Sequence, residues 1–130
     1  MFCQPNGVAF APDESVLYVA DSGSSHDDSA PRHIRAFDVA DDRLIRDRIF
    51  AVIDAGIPDG IRTDRDGNLW SSAGDGVHCF GTDGHRLGKI LVPESVANLC
   101  FGGPRRNRLF ITATSSLYAI FVATAGAQRP

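Results

Sequence analysis

Two oxygen-bearing side chains occupy the same place in two copies of a short motif. Asn6 lies in the tripeptide Pro5-Asn6-Gly7 and Asp59 lies in Pro58-Asp59-Gly60, 53 positions further along. In each tripeptide the proline restricts the backbone and the glycine permits a tight bend. Amide and carboxylate oxygens are ligands that hard divalent cations accept. If the copies are arranged radially, these oxygens converge on one axis; the alternative is that both side chains cap turns.

Each motif begins a repeat unit, here called a row, that consists of a short strand, a polar turn and a strand with an aromatic residue. The three rows begin at Asn6, Asp59 and Asn98, so the starts lie about 53 and then 39 residues apart. Periods of this size with several short strands per unit are typical of a β-propeller, in which four-stranded blades surround a channel. A generic β-sandwich of hairpins is the alternative. Because turn chemistry and aromatic position recur together, the pattern favours the propeller.

The pattern predicts an all-β chain, with residues 1–130 forming one partial propeller domain and no helix. Eleven strands are expected: Gly7–Ala11, Val16–Ala20, His33–Val39, Arg48–Ile53, Gly60–Thr63, Leu69–Ser72, Gly76–Phe80, Leu87–Leu91, Ala97–Phe101, Leu109–Thr112 and Ser116–Ile120. At about 40 to 50 residues per blade the chain forms about three blades, whereas closed propellers need at least about four. We therefore expect an arc with open blade edges.

Composition excludes several classes of protein. Hydrophobic residues make up 43% of the chain and charged residues 22%, which is too apolar for disorder. No apolar stretch approaches the ~20 residues of a membrane span, and a net charge of −3 with scattered basic residues predicts no nucleic-acid partner. The three cysteines are widely spaced, which predicts buried thiols in a reducing compartment, and the start shows no secretory leader, which predicts a cytoplasmic location.

Three further residues are candidates for substrate contact. Residues 21–31 are polar and too long for a hairpin turn, which predicts a functional or mobile loop. On this loop His26 could reach the mouth of the channel and Asp21 could support the site, although a solvated loop is the simpler interpretation. Asn98 occupies the third repeat's equivalent of Asn6 and Asp59, so it is expected to point into the channel.

An ordered series of motifs runs from about Gln4 to Ile120. It reads P-N-G-V-A-F-x-P-D-E-x-x-L-Y-V-A-D, H-I-R-A-F-D-V, P-D-G-I-R-x-D-x-D-G-N-L-W, G-D-G-V-H-C-F and N-L-C-F-G-G. This series resembles the SMP-30/gluconolactonase/LRE family of six-bladed propellers and is far more specific than any one motif. The chain looks like the C-terminal half of such a protein.

The resemblance implies one divalent metal on the propeller axis, usually calcium or zinc, with manganese or magnesium as further options. Asn6 and Asp59 match two of the family's three protein ligands, and Asp59 also matches its candidate general base. The third ligand is a glutamate near the start of the family's first blade, and no residue here matches it. Glu14 and Glu94 are expected in a turn and a loop, so neither replaces that glutamate.

Three hypotheses about function follow. The first is a metal-dependent hydrolase of a small-molecule sugar lactone, of the gluconolactonase type, impaired in this chain because one ligand is missing. The second is an inactive propeller fragment or interaction module whose open blade edges pair with a partner, for example as a homodimer. The third is a strictosidine synthase-like or paraoxonase-like propeller, whose motifs match less well.

Overall fold

The computed structural model describes residues 1–128 of the 130-residue chain. Eleven strands make up its secondary structure: β1 (Pro5–Phe10), β2 (Val16–Asp21), β3 (His33–Ala40), β4 (Arg43–Val52), β5 (Ile61–Thr63), β6 (Leu69–Ala73), β7 (Gly76–Phe80), β8 (Arg86–Leu91), β9 (Val96–Gly102), β10 (Arg108–Ala113) and β11 (Leu117–Phe121). Within residues 1–128 the one helical element is a 3₁₀ turn at Gly23–Ser25. No helix in this part of the chain has the length and apolarity to cross a membrane.

The strands form three antiparallel sheets in which neighbours in sequence are neighbours in space. The first sheet has the order β1-β2-β3-β4, the second β5-β6-β7-β8 and the third β9-β10-β11. We call these sheets blades 1, 2 and 3. The first strand of blade 2 packs against the first strands of both other blades, so β1, β5 and β9 line the inner edge. The predicted all-β partial propeller of about three blades is therefore confirmed.

Two apolar clusters hold the three blades together. The cluster between blades 1 and 2 contains Ala9, Tyr18, Ala20, Ile34, Ala36, Ala51, Ile53, Ile61, Leu69, Ala73 and Phe80. The cluster centred on blades 2 and 3 contains Val77, Val92, Val96, Leu99, Leu109 and Ile111. Trp70 of blade 2 meets Phe101 of blade 3 edge to face, with ring centroids 5.8 Å apart. Because side chains alternate between the two faces of a strand, each inner blade face buries an apolar row against its neighbour.

Strand β4 begins five residues earlier than predicted. Asp41 and Asp42 both have positive φ, at 49° and 59°, which is the conformation of a type I′ turn. That two-residue turn pairs Ala40 directly with Arg43, so the hairpin extends through a charged segment expected to be loop. The first half of β4 could not be predicted from apolar alternation, because β4 is the outer edge of blade 1 and most of its side chains face solvent.

The carboxylate of Asp64 organises the turn that joins β5 to β6. It is fully buried and accepts hydrogen bonds from the backbone N–H groups of Asp66 and Asn68, from the Asn68 side chain and from the Trp70 indole. Burying a carboxylate is costly unless several donors surround it. The D-x-D-G-N-L-W motif is therefore a structural turn that holds the start of β6.

Candidate metal site at the inner strand ends

A β-bulge places the Asn6 side chain. In the pairing of β1 with β2, Pro5 opposes Asp21 and Val8 opposes Val19, so Asn6 and Gly7 together face a single residue. Bulges of this kind redirect a side chain and often lie next to functional sites. The Asn6 side chain is exposed at the inner edge of blade 1.

Glycines allow the inner strands to approach closely. A Cβ on Gly7 would lie 1.9 Å from the carbonyl oxygen of Asp59, and a Cβ on Gly60 would lie 2.1 Å from Oδ1 of Asn98. The Gly60 N–H also donates to the carbonyl of Ala97 at 2.9 Å. These contacts bring the starts of the three rows together, with Asp59 between the other two. Asn6 and Asn98 therefore lie on the strands that flank the segment bearing Asp59.

Asn6 and Asp59 lie close together at the inner edge, where Ser22 Oγ is 3.2 Å from Asn6 Nδ2 and 2.6 Å from the carbonyl oxygen of Pro58, the residue before Asp59. Asp59 is half-buried, and this burial raises the pKa of its carboxyl above the usual value, while the nearby Asn6 amide partly offsets the increase. Its backbone N–H donates to Ser72 Oγ at 2.9 Å. Within residues 1–128 no lysine or arginine pairs with Asp59, so the carboxylate charge is not neutralised by a side-chain cation.

The donor set fits a hard divalent cation. One amide oxygen and one carboxylate are oxygen ligands, and such a set suits calcium, manganese or magnesium. The remaining coordination positions would be open to water and to a substrate carbonyl. The chemistry such a site can support is polarisation of a carbonyl next to a carboxylate that could act as a base.

The other three candidates lie in different surroundings. Asp21 is fully buried at the end of β2, where its carboxylate accepts the backbone N–H groups of Cys3, Gln4 and Gly23. His26 is exposed just after the 3₁₀ turn. Asn98 is exposed, and its Oδ1 accepts the N–H of the next residue at 2.8 Å. Asp21 thus fixes the segment before Asn6 through hydrogen bonds to the backbone of Cys3 and Gln4. Substrate contact by Asp21, His26 and Asn98 stays a prediction.

A second cluster of metal-ligand types involves Asp54, Asp75 and His78, whose ligand atoms lie within 4.8 Å of one another. Lys89 Nζ bridges the two carboxylates, 2.7 Å from Asp54 and 2.8 Å from Asp75, and Arg86 pairs with Asp54 as well. Lys89 and Arg86 lower the pKa of Asp54 to about 2. Because two cations neutralise the carboxylates, we interpret this cluster as a surface ion-pair network and not as the metal site.

The two glutamates and one sizeable cavity lie elsewhere. Glu94 accepts hydrogen bonds from Ser115 and Ser116, and Glu14 sits in the β1–β2 turn with φ of 59°. A cavity of about 670 Å³ lies at the opposite end of the inner strands, beside Phe10 and Thr63. The prediction that neither glutamate supplies the third ligand agrees with these positions.

Sequence reasoning missed two serines that support the site. Ser22 bonds to Asn6 and to the Pro58 carbonyl, and Ser72 accepts the N–H of Asp59. Both hydroxyls are buried, with side chains 1% and 0% exposed. The available signal was a serine near the end of a strand, directly after Asp21 in one case and directly after Ser71 in the other, where a buried hydroxyl needs a specific partner.

The fold and the site define a class, namely an arc of propeller blades with amide and carboxylate oxygens gathered at the inner strand ends. The chain belongs to the SMP-30/gluconolactonase/LRE-like family, whose model matches residues 1–115. The family predicted from the motif series is therefore confirmed.

Several relatives with known names or structures are similar to this chain. A gluconolactonase from Zymomonas mobilis is 34% identical over 134 residues, covering 95% of this chain and 36% of the relative. The solved structure of a gluconolactonase from Xanthomonas campestris has a TM-score of 0.81 at 42% identity, covering 91% of this chain and 37% of that one. The calcium-binding protein regucalcin from Agrobacterium tumefaciens shares the fold, with a TM-score of 0.72 at 24% identity, covering 88% and 39%. The chain thus spans less than half the length of these relatives.

Proposed function

We propose that this chain contributes to the metal-dependent hydrolysis of a sugar lactone such as glucono-1,5-lactone. The observation that carries the proposal is that the tripeptides bearing Asn6 and Asp59 come together at the inner edge, where Gly7 approaches the Asp59 carbonyl and the Ser22 hydroxyl bonds to both Asn6 and Pro58. The similarity to a gluconolactonase over 95% of the chain supports the substrate class. The oxygen-only donor set favours calcium, manganese or magnesium over softer metals.

In this proposal Asp59 has two roles. A divalent ion held by Asn6 and Asp59 would act as a Lewis acid on the lactone carbonyl. Asp59 would also accept a proton from the water that attacks this carbonyl. Asn6, which is neutral, would contribute an oxygen without competing for that proton.

Two protein ligands hold an ion weakly. We therefore propose that the chain by itself binds calcium or manganese with Kd of ~1 mM, at the weak end of oxygen-ligand sites, and hydrolyses the lactone slowly. Further blades that bring another carboxylate to the axis would strengthen both properties.

The test combines metal binding with hydrolysis. Mn²⁺ is titrated into isotope-labelled protein, and the backbone amide signals near Asn6 and Asp59 are expected to broaden first. Hydrolysis of glucono-1,5-lactone is followed with added calcium and compared with the uncatalysed rate. Asp59→Asn is expected to weaken Mn²⁺ binding at least about tenfold, because it removes the one charged ligand, and to abolish the metal-dependent rate.

Asp13→Asn is the matched control. Asp13 is an exposed aspartate in the β1–β2 turn, at the opposite end of β1, so its replacement removes the same charge away from the site. Broadening that is unaffected by Asp59→Asn, or equally affected by both variants, would contradict the proposed site.

A second candidate function, an interaction module, is favoured by uncovered apolar faces at both ends of the arc. Val8 and Ile49 are 54% and 59% exposed on blade 1, and Leu117 and Phe121 are 69% and 70% exposed on blade 3. The two blade interfaces inside the chain show that a neighbouring blade covers such a face. We propose a second copy as the partner, because two three-blade arcs related by a two-fold axis would close a six-bladed ring and bring two copies of Asp59 to its axis. Sedimentation equilibrium at micromolar concentration should show a dimer, and a stable monomer would contradict the pairing.

A further inference from the structure

We propose that Ser22 is a positioning residue of the candidate metal site, an inference that rests on the proposed function. Its buried hydroxyl orients the Asn6 amide and ties that amide to the backbone next to Asp59. Ser22 itself contacts neither the ion nor the substrate in this proposal. It acts through Asn6.

The hydrogen bonds of Ser22 determine which end of the amide faces it. Ser22 Oγ lies 2.6 Å from the Pro58 carbonyl oxygen and 3.2 Å from Asn6 Nδ2. A carbonyl can only accept a hydrogen bond, so the single hydroxyl proton is directed at Pro58. Toward Asn6 the hydroxyl oxygen can then act only as an acceptor. Asn6 must therefore present its NH₂ group to Ser22, which directs Oδ1 away from Ser22 and leaves it available to a cation.

The same hydroxyl connects the two ligands across the blade interface. Ser22 follows β2 in blade 1, whereas Pro58 immediately precedes Asp59 at the start of blade 2. The Ser22 side chain is 1% exposed, and its backbone N–H donates to the Gln4 carbonyl at 2.9 Å. The hydroxyl is consequently bonded to Asn6 in blade 1 and to Pro58 in blade 2. It therefore limits how far Asn6 and Asp59 can move relative to each other.

Ser71 provides a matched control. It is 0% exposed in β6, and its hydroxyl donates to the Ser72 carbonyl at 2.9 Å. Within residues 1–128 this is the one hydrogen bond of the Ser71 hydroxyl, and it does not involve Asn6 or Asp59. Ser71→Ala therefore removes a buried hydroxyl without removing a contact to either ligand.

The first measurement uses no metal. The side-chain NH₂ signals of Asn6 are identified as the pair lost in Asn6→Asp. In Ser22→Ala we expect this pair to shift and its exchange with solvent to accelerate, because one of its acceptors is gone. Ser71→Ala should leave the pair in place. An unchanged pair in Ser22→Ala, or an equal change in Ser71→Ala, would overturn the proposal. If Ser22→Ala does not fold, Ser22→Cys keeps a side chain of similar size with a weak hydrogen-bonding group and serves the same comparison.

The second measurement is the Mn²⁺ titration. Loss of a group that orients a ligand typically weakens metal binding about 10- to 100-fold, and we expect at least the lower value for Ser22→Ala and no change for Ser71→Ala. Equal Mn²⁺ affinity in wild type and Ser22→Ala would overturn the positioning role. If the wild-type protein shows no broadening near Asn6 and Asp59, the proposed metal site is wrong, and the metal-free amide signals still decide whether Ser22 orients Asn6.

Discussion

Replacing Gly7 with alanine is expected to force the inner strands of blades 1 and 2 apart. The new Cβ would lie 1.9 Å from the Asp59 carbonyl oxygen and 3.0 Å from the carbonyl carbon, and both are backbone atoms that cannot rotate away. Real Cβ atoms essentially never approach closer than 3.0 Å, so the oxygen contact must lengthen by about 1 Å. Overpacking typically costs about 1–3 kcal/mol, and a backbone obstacle places this substitution at the upper end.

A smaller gain opposes that cost. Alanine restricts the unfolded chain more than glycine does, which stabilises the folded state by about 0.4–1 kcal/mol where the backbone accepts the change. We therefore expect a net decrease of about 2 kcal/mol in the free energy of unfolding, measured by urea denaturation. The signals of Asn6 and Asp59 should shift in the same variant, because the displaced contact lies between them.

Gly88→Ala is the control for this prediction. Gly88 lies in β8 and a Cβ there would have no heavy atom within 4 Å. Its free energy of unfolding should stay within about 0.5 kcal/mol of wild type, as for most surface substitutions. If Gly7→Ala were as stable as Gly88→Ala, the close approach of β1 to Asp59 would be refuted, and with it the geometry of the candidate site.

The remaining predictions concern ion pairing and thiol reactivity. Because Lys89 and Arg86 lower the pKa of Asp54 to about 2, the stabilisation from this group is present above the unfolded value of 3.8 and is lost as the pH falls through about 2. Asp54→Asn should thus lower the free energy of unfolding at pH 7 by about 0.5 kcal/mol, a small value because solvent screens these exposed ion pairs. The difference in unfolding free energy between the variant and the wild type should shrink between pH 4 and pH 2. A difference that stays constant over this range in urea denaturation would contradict the prediction. Burial raises the pKa of the Cys79 thiol to about 12, whereas Cys3 and Cys100 are exposed, so the prediction of buried thiols is wrong for these two residues. A chromogenic disulfide reagent at pH 8 should accordingly modify two thiols quickly and the third only after unfolding, and three equal rates would show that Cys79 is accessible.

The repeat pattern was sufficient to predict the strands and their grouping. All eleven expected strands are present because hairpin pairing depends on local signals, namely alternating apolar residues and turn formers between them. The largest boundary error, at β4, arose where local signals are weak, on an outer strand whose charged side chains face solvent. The tight turn at Asp41 and Asp42 requires positive φ at both residues, and a pair of aspartates does not by itself predict that conformation.

For the candidate site, the sequence by itself determined which residues carry oxygen ligands and that they recur at one position of the repeat. Asn6 and Asp59 could be chosen because a proline and a glycine flank each of them. Only the tertiary structure decided that Asp21 is used internally and that Ser22 connects Asn6 to Pro58. These contacts join residues of different strands and blades, and their geometry depends on how closely the blades pack, a distance set by the glycines and the apolar clusters together and not by any local stretch of chain.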